Sequence, residues 1–126
     1  MPLSRPELVA IAKKYAGHPE FLGIGIEDVN QPGAVDDTLL HVAARTGAID
    51  DVKTLVFCGA LIDSIGDLGN TPLHQAAMND QRITAEFLLL KRANPRLKNE
   101  FEQTALEVAE IEGHQHMMAL IKRYLW

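Results

Sequence analysis

The chain has 126 residues, of which 47% are hydrophobic and 23% are charged, a balance typical of one globular domain. Seventeen acidic residues against 12 basic residues give a net charge of −5, which argues against a nucleic-acid backbone as the main partner and favours a basic protein. The single cysteine, Cys58, excludes an internal disulfide and a cysteine-rich zinc site.

The N-terminal segment lacks the apolar core of a signal peptide, and no apolar run approaches the roughly 20 residues that span a bilayer. We therefore expect a cytoplasmic protein with no membrane partner. A first helix is predicted from Ser4 to Ala16, because Ser4 and Glu7 have the spacing of a capping box.

Three related stretches follow, and each contains a threonine that is predicted to cap a helix. Pro72 in the second stretch fits the first position of a helix, where a missing N–H group costs nothing. The stretches are DTLLHVAA, NTPLHQAA and QTALEVAE, and their threonines, at intervals of 33 residues, are Thr38, Thr71 and Thr104.

A second helix is predicted after each stretch, because apolar residues recur there at helical spacing. These helices are expected at residues 50–58, 82–91 and 114–124. Gly59 suits the left-handed residue that ends a helix, and Arg92 stands at the equivalent position of the next copy. A positive φ at Arg92 costs on the order of 1 kcal/mol relative to glycine.

One pair of such helices cannot bury its own apolar face, whereas stacked pairs can. Counting back 33 residues from Thr38 predicts a fourth, degenerate unit. We therefore predict an all-α solenoid of about four helix-turn-helix units with β-turn-like tips, forming a single domain over residues 1–126. The apolar chain end, Tyr124 to Trp126, is expected to cover the last helices or to contact a partner. The predicted units are residues 5–37, 38–70, 71–103 and 104–126.

The stretch TPLHQAA, from Thr71 to Ala77, resembles the signature of the ankyrin-repeat family, which has the same 33-residue period. The copy at Thr38 lacks only the proline, and the copy at Thr104 keeps the threonine, the leucine and one alanine. The wording GDLGNTPLH looks like that of small stand-alone bacterial ankyrin proteins, some of which are immunity proteins against toxins. The resemblance implies a protein-binding module rather than an enzyme, with no cofactor.

No catalytic or metal-binding constellation is evident in the sequence. In the ankyrin family the signature histidine is structural and forms hydrogen bonds between repeats, which is the role implied for His41 and His74. His114 and His116 are two residues apart, so on a helix their side chains point apart and do not chelate. Cys58 is expected to be a partly buried free thiol.

The resemblance also implies that partners bind the tips and the exposed side of the first helices, which together form a concave surface. Acidic residues surround apolar residues there, a pattern typical of apolar anchors within a polar rim. The predicted partner-binding residues are Val35, Asp36, Asp37, Arg45, Asp67, Leu68, Asn70, Met78, Asn79, Glu100, Phe101, Gln103, Ile111 and Glu112.

Two functions are consistent with such a surface. The first is a stoichiometric inhibitor, an immunity protein that neutralises a cognate toxin in a 1:1 complex through the acidic concave face. The second is a general adaptor or regulator that joins protein partners. The alternative for the tips is that they are merely solvated, with Leu68 or Phe101 packed against its own loop.

Overall fold

A computed structural model describes residues 3–125 of the chain. In these residues no helix is both long enough and apolar enough to cross a membrane. Residues 3–125 contain seven α-helices, which are α1 (Pro6–Tyr15), α2 (Leu39–Thr46), α3 (Ile49–Phe57), α4 (Pro72–Met78), α5 (Arg82–Leu90), α6 (Ala105–Ile111) and α7 (Gln115–Lys122).

Each helical pair begins immediately after the threonine predicted to cap it. Thr71 Oγ1 accepts a hydrogen bond from the amide of His74 at 3.2 Å, and Thr104 Oγ1 accepts one from the amide of Glu107 at 3.3 Å. The side chain of that third helical residue accepts a hydrogen bond from the threonine amide in return. Two N–H groups that the helix cannot pair are therefore bonded at each start. Pro72 is the first residue of α4, as predicted.

The helices stack in two rows, with the hydrophobic core between them. The inner row consists of α2, α4 and α6, and the outer row of α1, α3, α5 and α7. Alanines in the inner helices are fully buried, and their small side chains allow neighbouring helices to approach closely. These alanines are Ala43, Ala44, Ala76, Ala77, Ala105 and Ala109. The predicted all-α solenoid is confirmed, whereas its division into units at residues 37, 70 and 103 stays a prediction.

Within the described residues, the first unit contains the single helix α1 followed by turns. Lys14 Nζ and Tyr15 Oη, at the C-terminal end of α1, donate hydrogen bonds to Asp51 in the first turn of α3, at 2.7 and 2.8 Å. Near the other end of α1, Glu7 Oε1 lies 3.9 Å from Sγ of the buried Cys58. Helix α1 therefore runs antiparallel to α3 at the end of the outer row.

Both ends of the chain refine the sequence prediction. The capping box predicted from Ser4 and Glu7 is wrong, because α1 begins at Pro6 and the side chain of its N-cap residue makes no capping hydrogen bond. At the other end, Tyr124 and Leu125 are partly buried against the core, so they cover the last helices. Trp126 lies outside the described residues.

Arg92 occupies the left-handed position that the repeat predicts for it. Its φ is 70°, and Gly59, one repeat earlier, has a φ of 101°. A side chain with a Cβ atom is strained in this region of backbone conformation, whereas glycine is not. The repeat geometry therefore imposes a conformation that the arginine disfavours.

Replacing Arg92 with glycine is expected to raise the free energy of unfolding by about 0.5–1 kcal/mol, because the strain is removed. Urea denaturation monitored by circular dichroism measures the change. Lys91→Gly is the matched control, since Lys91 has a φ of −89° and glycine there destabilises the fold. An Arg92→Gly variant no more stable than the original chain would contradict this assignment.

Candidate functional site

Three tips with the same geometry precede the three inner helices. In each tip the amide of the first residue donates a hydrogen bond to the carbonyl of the fifth, at 2.8 Å in residues 33–37 and 2.9 Å in residues 66–70 and 99–103. The fourth residue of each tip is left-handed, with φ values of 74°, 75° and 61° at Asp36, Gly69 and Glu102. The 33-residue interval thus carries one turn geometry from tip to tip.

Hydrogen bonds fasten each tip to the next. The Asp37 carboxylate accepts a hydrogen bond from the amide of Asp67 at 2.9 Å, which joins the first tip to the second. The carbonyl of Leu68 accepts one from the amide of Glu100 at 3.0 Å, which joins the second tip to the third. The tips therefore form one connected edge rather than three independent loops.

The two signature histidines lie beneath the tips and link successive repeats. His41 Nε2 lies 2.9 Å from the carbonyl oxygen of Asn70 and 3.0 Å from that of Ser64, and His74 Nε2 lies 2.8 Å from that of Gln103. Since carbonyl oxygens only accept hydrogen bonds, each Nε2 carries the proton. Burial lowers the pKa of both histidines below the usual value and keeps the rings neutral. The structural role implied for both residues is confirmed.

Two of the predicted partner-binding residues have buried side chains. Asp37 is 1% exposed and forms an ion pair with Arg45 in addition to its bond to the Asp67 amide. Asn70 is 4% exposed, and its Oδ1 accepts a hydrogen bond from Asn99 Nδ2 at 3.0 Å. The expectation of an exposed side chain is wrong at both positions, because the fifth residue of each tip points inward to join the neighbouring tip.

Two further predicted residues, Arg45 and Gln103, are half-buried and already hydrogen-bonded within the chain. Arg45 Nε donates to Gln75 Oε1 at 3.0 Å while its Nη2 binds Asp37. Gln103 donates its amide to Asn99 Oδ1 at 3.0 Å. Both residues support the tips and present only part of their side chains to solvent.

The third residue of each tip is an exposed apolar residue. Val35, Leu68 and Phe101 are 49%, 47% and 61% exposed, so neither Leu68 nor Phe101 is buried in its own loop. Acidic residues flank them on the same tips. We call this set the acidic tip row, and its members are Val35, Asp36, Asp67, Leu68, Glu100, Phe101 and Glu102.

The C-terminal ends of the inner helices provide the other predicted residues. Met78 is half-buried and Ile111 is exposed, and they occupy equivalent positions of successive repeats. Asn79 and Glu112, which follow them, are exposed. An apolar residue followed by a polar one thus recurs at the end of α4 and α6.

Sequence reasoning missed two buried polar residues that position the tips. The carbonyl of Glu20 accepts a hydrogen bond from the amide of Ala34 at 2.8 Å, and its Oε2 accepts one from the amide of Val35 at 2.6 Å. Asn99 joins the second and third tips as described above. Glu20 lies in the unit without a recognisable motif, so no pattern marked it, whereas the position of Asn99 as the first residue of a tip was a usable signal.

Within residues 3–125, no group of three or more histidine, cysteine, aspartate or glutamate side chains is placed to hold a metal ion. What the structure does present is a row of repeated tips on a hydrogen-bonded framework. Together with the stacked helical pairs, this defines a tandem-repeat scaffold with a variable exposed edge.

The chain belongs to the ankyrin-repeat family. The family model described as "Ankyrin repeats (3 copies)" matches residues 9–99 and 40–125, which together include most of the chain. Ankyrin repeats are a protein-interaction domain, and the chain is therefore a protein-binding module.

The relatives are larger proteins of eukaryotes and a virus. The chain is 35% identical over 85 residues to SH3 and multiple ankyrin repeat domains protein 2 of Homo sapiens, covering 68% of this chain and 5% of that protein. It is 33% identical over 121 residues to an ankyrin repeat protein of Fowlpox virus, covering 94% of this chain and 35% of the relative. It is 41% identical over 71 residues to palmitoyltransferase ZDHHC17 of Homo sapiens, covering 56% of this chain and 11% of that protein. The chain thus spans about a third or less of the length of these relatives.

The inward position of Asp37 predicts a loss of stability when its carboxylate is removed. Asp37→Ala is expected to lower the free energy of unfolding by about 2–3 kcal/mol, because Arg45 and the Asp67 amide lose their partner. The neighbouring Asp36→Ala, at an exposed residue with the same charge, is expected to change it by less than about 0.5 kcal/mol. Equal effects of the two variants in urea denaturation would contradict the distinction between framework and surface.

Proposed function

We propose that the chain is an adaptor that captures a basic protein through the acidic tip row and the exposed ends of α4 and α6. The observation that carries this proposal is the regular row of exposed apolar residues, one per tip, held on tips that are bonded to one another. Exposed apolar residues at a fixed spacing give a partner several anchoring points along one edge.

The charge of this surface supports a basic partner. Asp36, Glu100, Glu102 and Glu112 are exposed, whereas the one basic residue predicted for the surface, Arg45, is paired with the buried Asp37. The surface therefore has an excess of negative charge beside its apolar residues. Such a surface speeds encounter with a positively charged partner and disfavours acidic proteins.

The rigidity of the tips also supports binding. Closure within each tip and the bonds between tips fix the backbone before a partner arrives. A partner therefore loses less free energy to ordering loops than it does with flexible loops. Affinity is then determined by the side chains that the tips present.

The narrower function, an immunity protein that neutralises a toxin in a 1:1 complex, uses the same surface. The relatives named above are eukaryotic or viral, which gives a bacterial toxin inhibitor no support and makes the adaptor the better hypothesis. Affinity purification of the tagged chain at native expression level separates the two. Several partners in substoichiometric amounts indicate an adaptor, whereas one enzyme that is inactive in a 1:1 complex indicates an inhibitor.

Removing two anchors of the acidic tip row is expected to weaken binding. Leu68→Ala combined with Phe101→Ala should raise the Kd for the captured basic partner at least tenfold, or about 1.4 kcal/mol or more, as measured by titration calorimetry. Circular dichroism is expected to stay unchanged, since both side chains are about half exposed.

The matched control is Leu61→Ala combined with Ile83→Ala, which removes two exposed apolar side chains on the outer side. This control should bind as tightly as the original chain. Unchanged affinity in the tip variant with a native spectrum would show that the partner binds elsewhere.

A further inference from the structure

The outer side of the solenoid carries a groove whose character is opposite to that of the acidic tip row. It runs between α3 and α5, which are nine residues each, so that it extends for about 13 Å. Val56 and Phe87 are partly buried in it, and at one end α1 contributes Glu7 to its wall. We call this feature the outer groove. Its length matches two to three turns of a helix or about four residues of extended chain.

Large apolar side chains along the outer groove are more exposed than those of the tips. Phe57 and Ile83 are 77% and 75% exposed, and Leu90 is 63% exposed. Phe57 and Leu90 are 33 residues apart and occupy equivalent positions at the ends of α3 and α5. Their side chains are left in water, so burial in the core of the chain does not account for them. A cluster of exposed apolar residues is typical of an interaction surface.

Cationic side chains surround the apolar ones. Lys53 Nζ and Lys91 Nζ lie 5.9 and 5.8 Å from the centre of the Phe87 ring, and the Arg5 guanidinium lies 5.4 Å from the centre of the Phe57 ring. In the part of the chain that the structure describes, neither lysine forms an ion pair with a carboxylate. Their charges are therefore available to a ligand in the groove.

The charge balance of the outer groove is positive although the chain as a whole has a charge of −5. Its basic residues are Arg5, Lys53, Arg82 and Lys91, and its acidic residues are Glu7 and Glu86. The complementary ligand carries negative charge together with large apolar side chains.

We propose that the outer groove binds an acidic peptide segment bearing large apolar side chains, from a partner other than the one captured by the acidic tip row. Apolar side chains of the segment pack against Phe57, Phe87 and Leu90, and its carboxylates pair with Lys53 and Lys91. The two surfaces lie on different sides of the solenoid and have opposite charge, so they select different partners. This site does not depend on the function proposed for the tips.

An anionic membrane fits these observations less well than a peptide does. The apolar residues line a recess between helices, and Glu7 and Glu86 stand beside the lysines. A chain with a net charge of −5 is also repelled by an anionic lipid surface. A peptide, by contrast, enters a groove of this length and pairs with individual lysines.

Peptide display tests the proposal on the full chain. A phage library of random 12-residue peptides is panned on the immobilised protein, and selected peptides are labelled for fluorescence anisotropy. We expect enrichment of a class that combines aspartate or glutamate with leucine, phenylalanine or tryptophan. For this class, Lys53→Glu combined with Lys91→Glu should raise the Kd at least tenfold, and the milder Lys53→Gln with Lys91→Gln should raise it several-fold. Lys13→Glu with Lys122→Glu, an equal charge change at exposed lysines elsewhere, should change the Kd less than twofold.

Three outcomes overturn the proposal. The first is the absence of an acidic, apolar class among the selected peptides, or binding of that class that is insensitive to both groove variants. The second is cosedimentation with phosphatidylserine vesicles that Lys53→Glu with Lys91→Glu abolishes, which assigns the groove to a membrane. The third is a self-association in analytical ultracentrifugation that the same variant abolishes, which assigns it to a second copy of the chain. Because Leu68→Ala with Phe101→Ala should leave the acidic class bound, failure of the tip surface and failure of the groove are distinguishable.

Discussion

The hydrogen bond from a buried neutral histidine to a backbone carbonyl one repeat away is the interaction on which the rest of this structure depends. His41 and His74 each accept a hydrogen bond from the threonine amide at the start of their own helix through Nδ1 and donate through Nε2 to the end of the next tip. One side chain thus fixes the start of an inner helix and the position of the following tip. Because the same link occurs twice at a 33-residue interval, it sets the spacing of the tips.

This link separates residues that hold the framework from residues that are free to meet a partner. Within each tip the fifth residue points inward and bonds to the neighbouring tip or to a helix, as Asp37 and Asn70 do. The third residue points outward, as Leu68 and Phe101 do. A single turn geometry therefore yields a buried position and an exposed position two residues apart. Variation at the exposed position changes what the surface binds without disturbing the inter-repeat bonds.

Much of the fold was predictable from the sequence, because the period, the capping threonines and Pro72 report local interactions within about four residues. The helix pairs and the left-handed Arg92 follow from these signals. The burial of Asp37 and the role of Glu20 were not predictable, because each depends on a partner 8 or more residues away. The outer groove was missed for another reason. Phe57 and Leu90 fit the apolar periodicity of a helix, which indicates a core position unless the neighbouring helices are known.

The state of the two histidines is the most direct test of this account. Nitrogen-15 NMR of the imidazole rings reports which nitrogen carries the proton and the pH at which the ring becomes charged. The account predicts the Nε2–H form for both His41 and His74, and rings that stay neutral below the ordinary pKa near 6.5. Since the unfolded chain then binds more protons, the stability of the fold should decrease as the pH falls below that value. Protonation of either ring at the pKa of free histidine, or an Nδ1–H form, would contradict the proposed link between repeats.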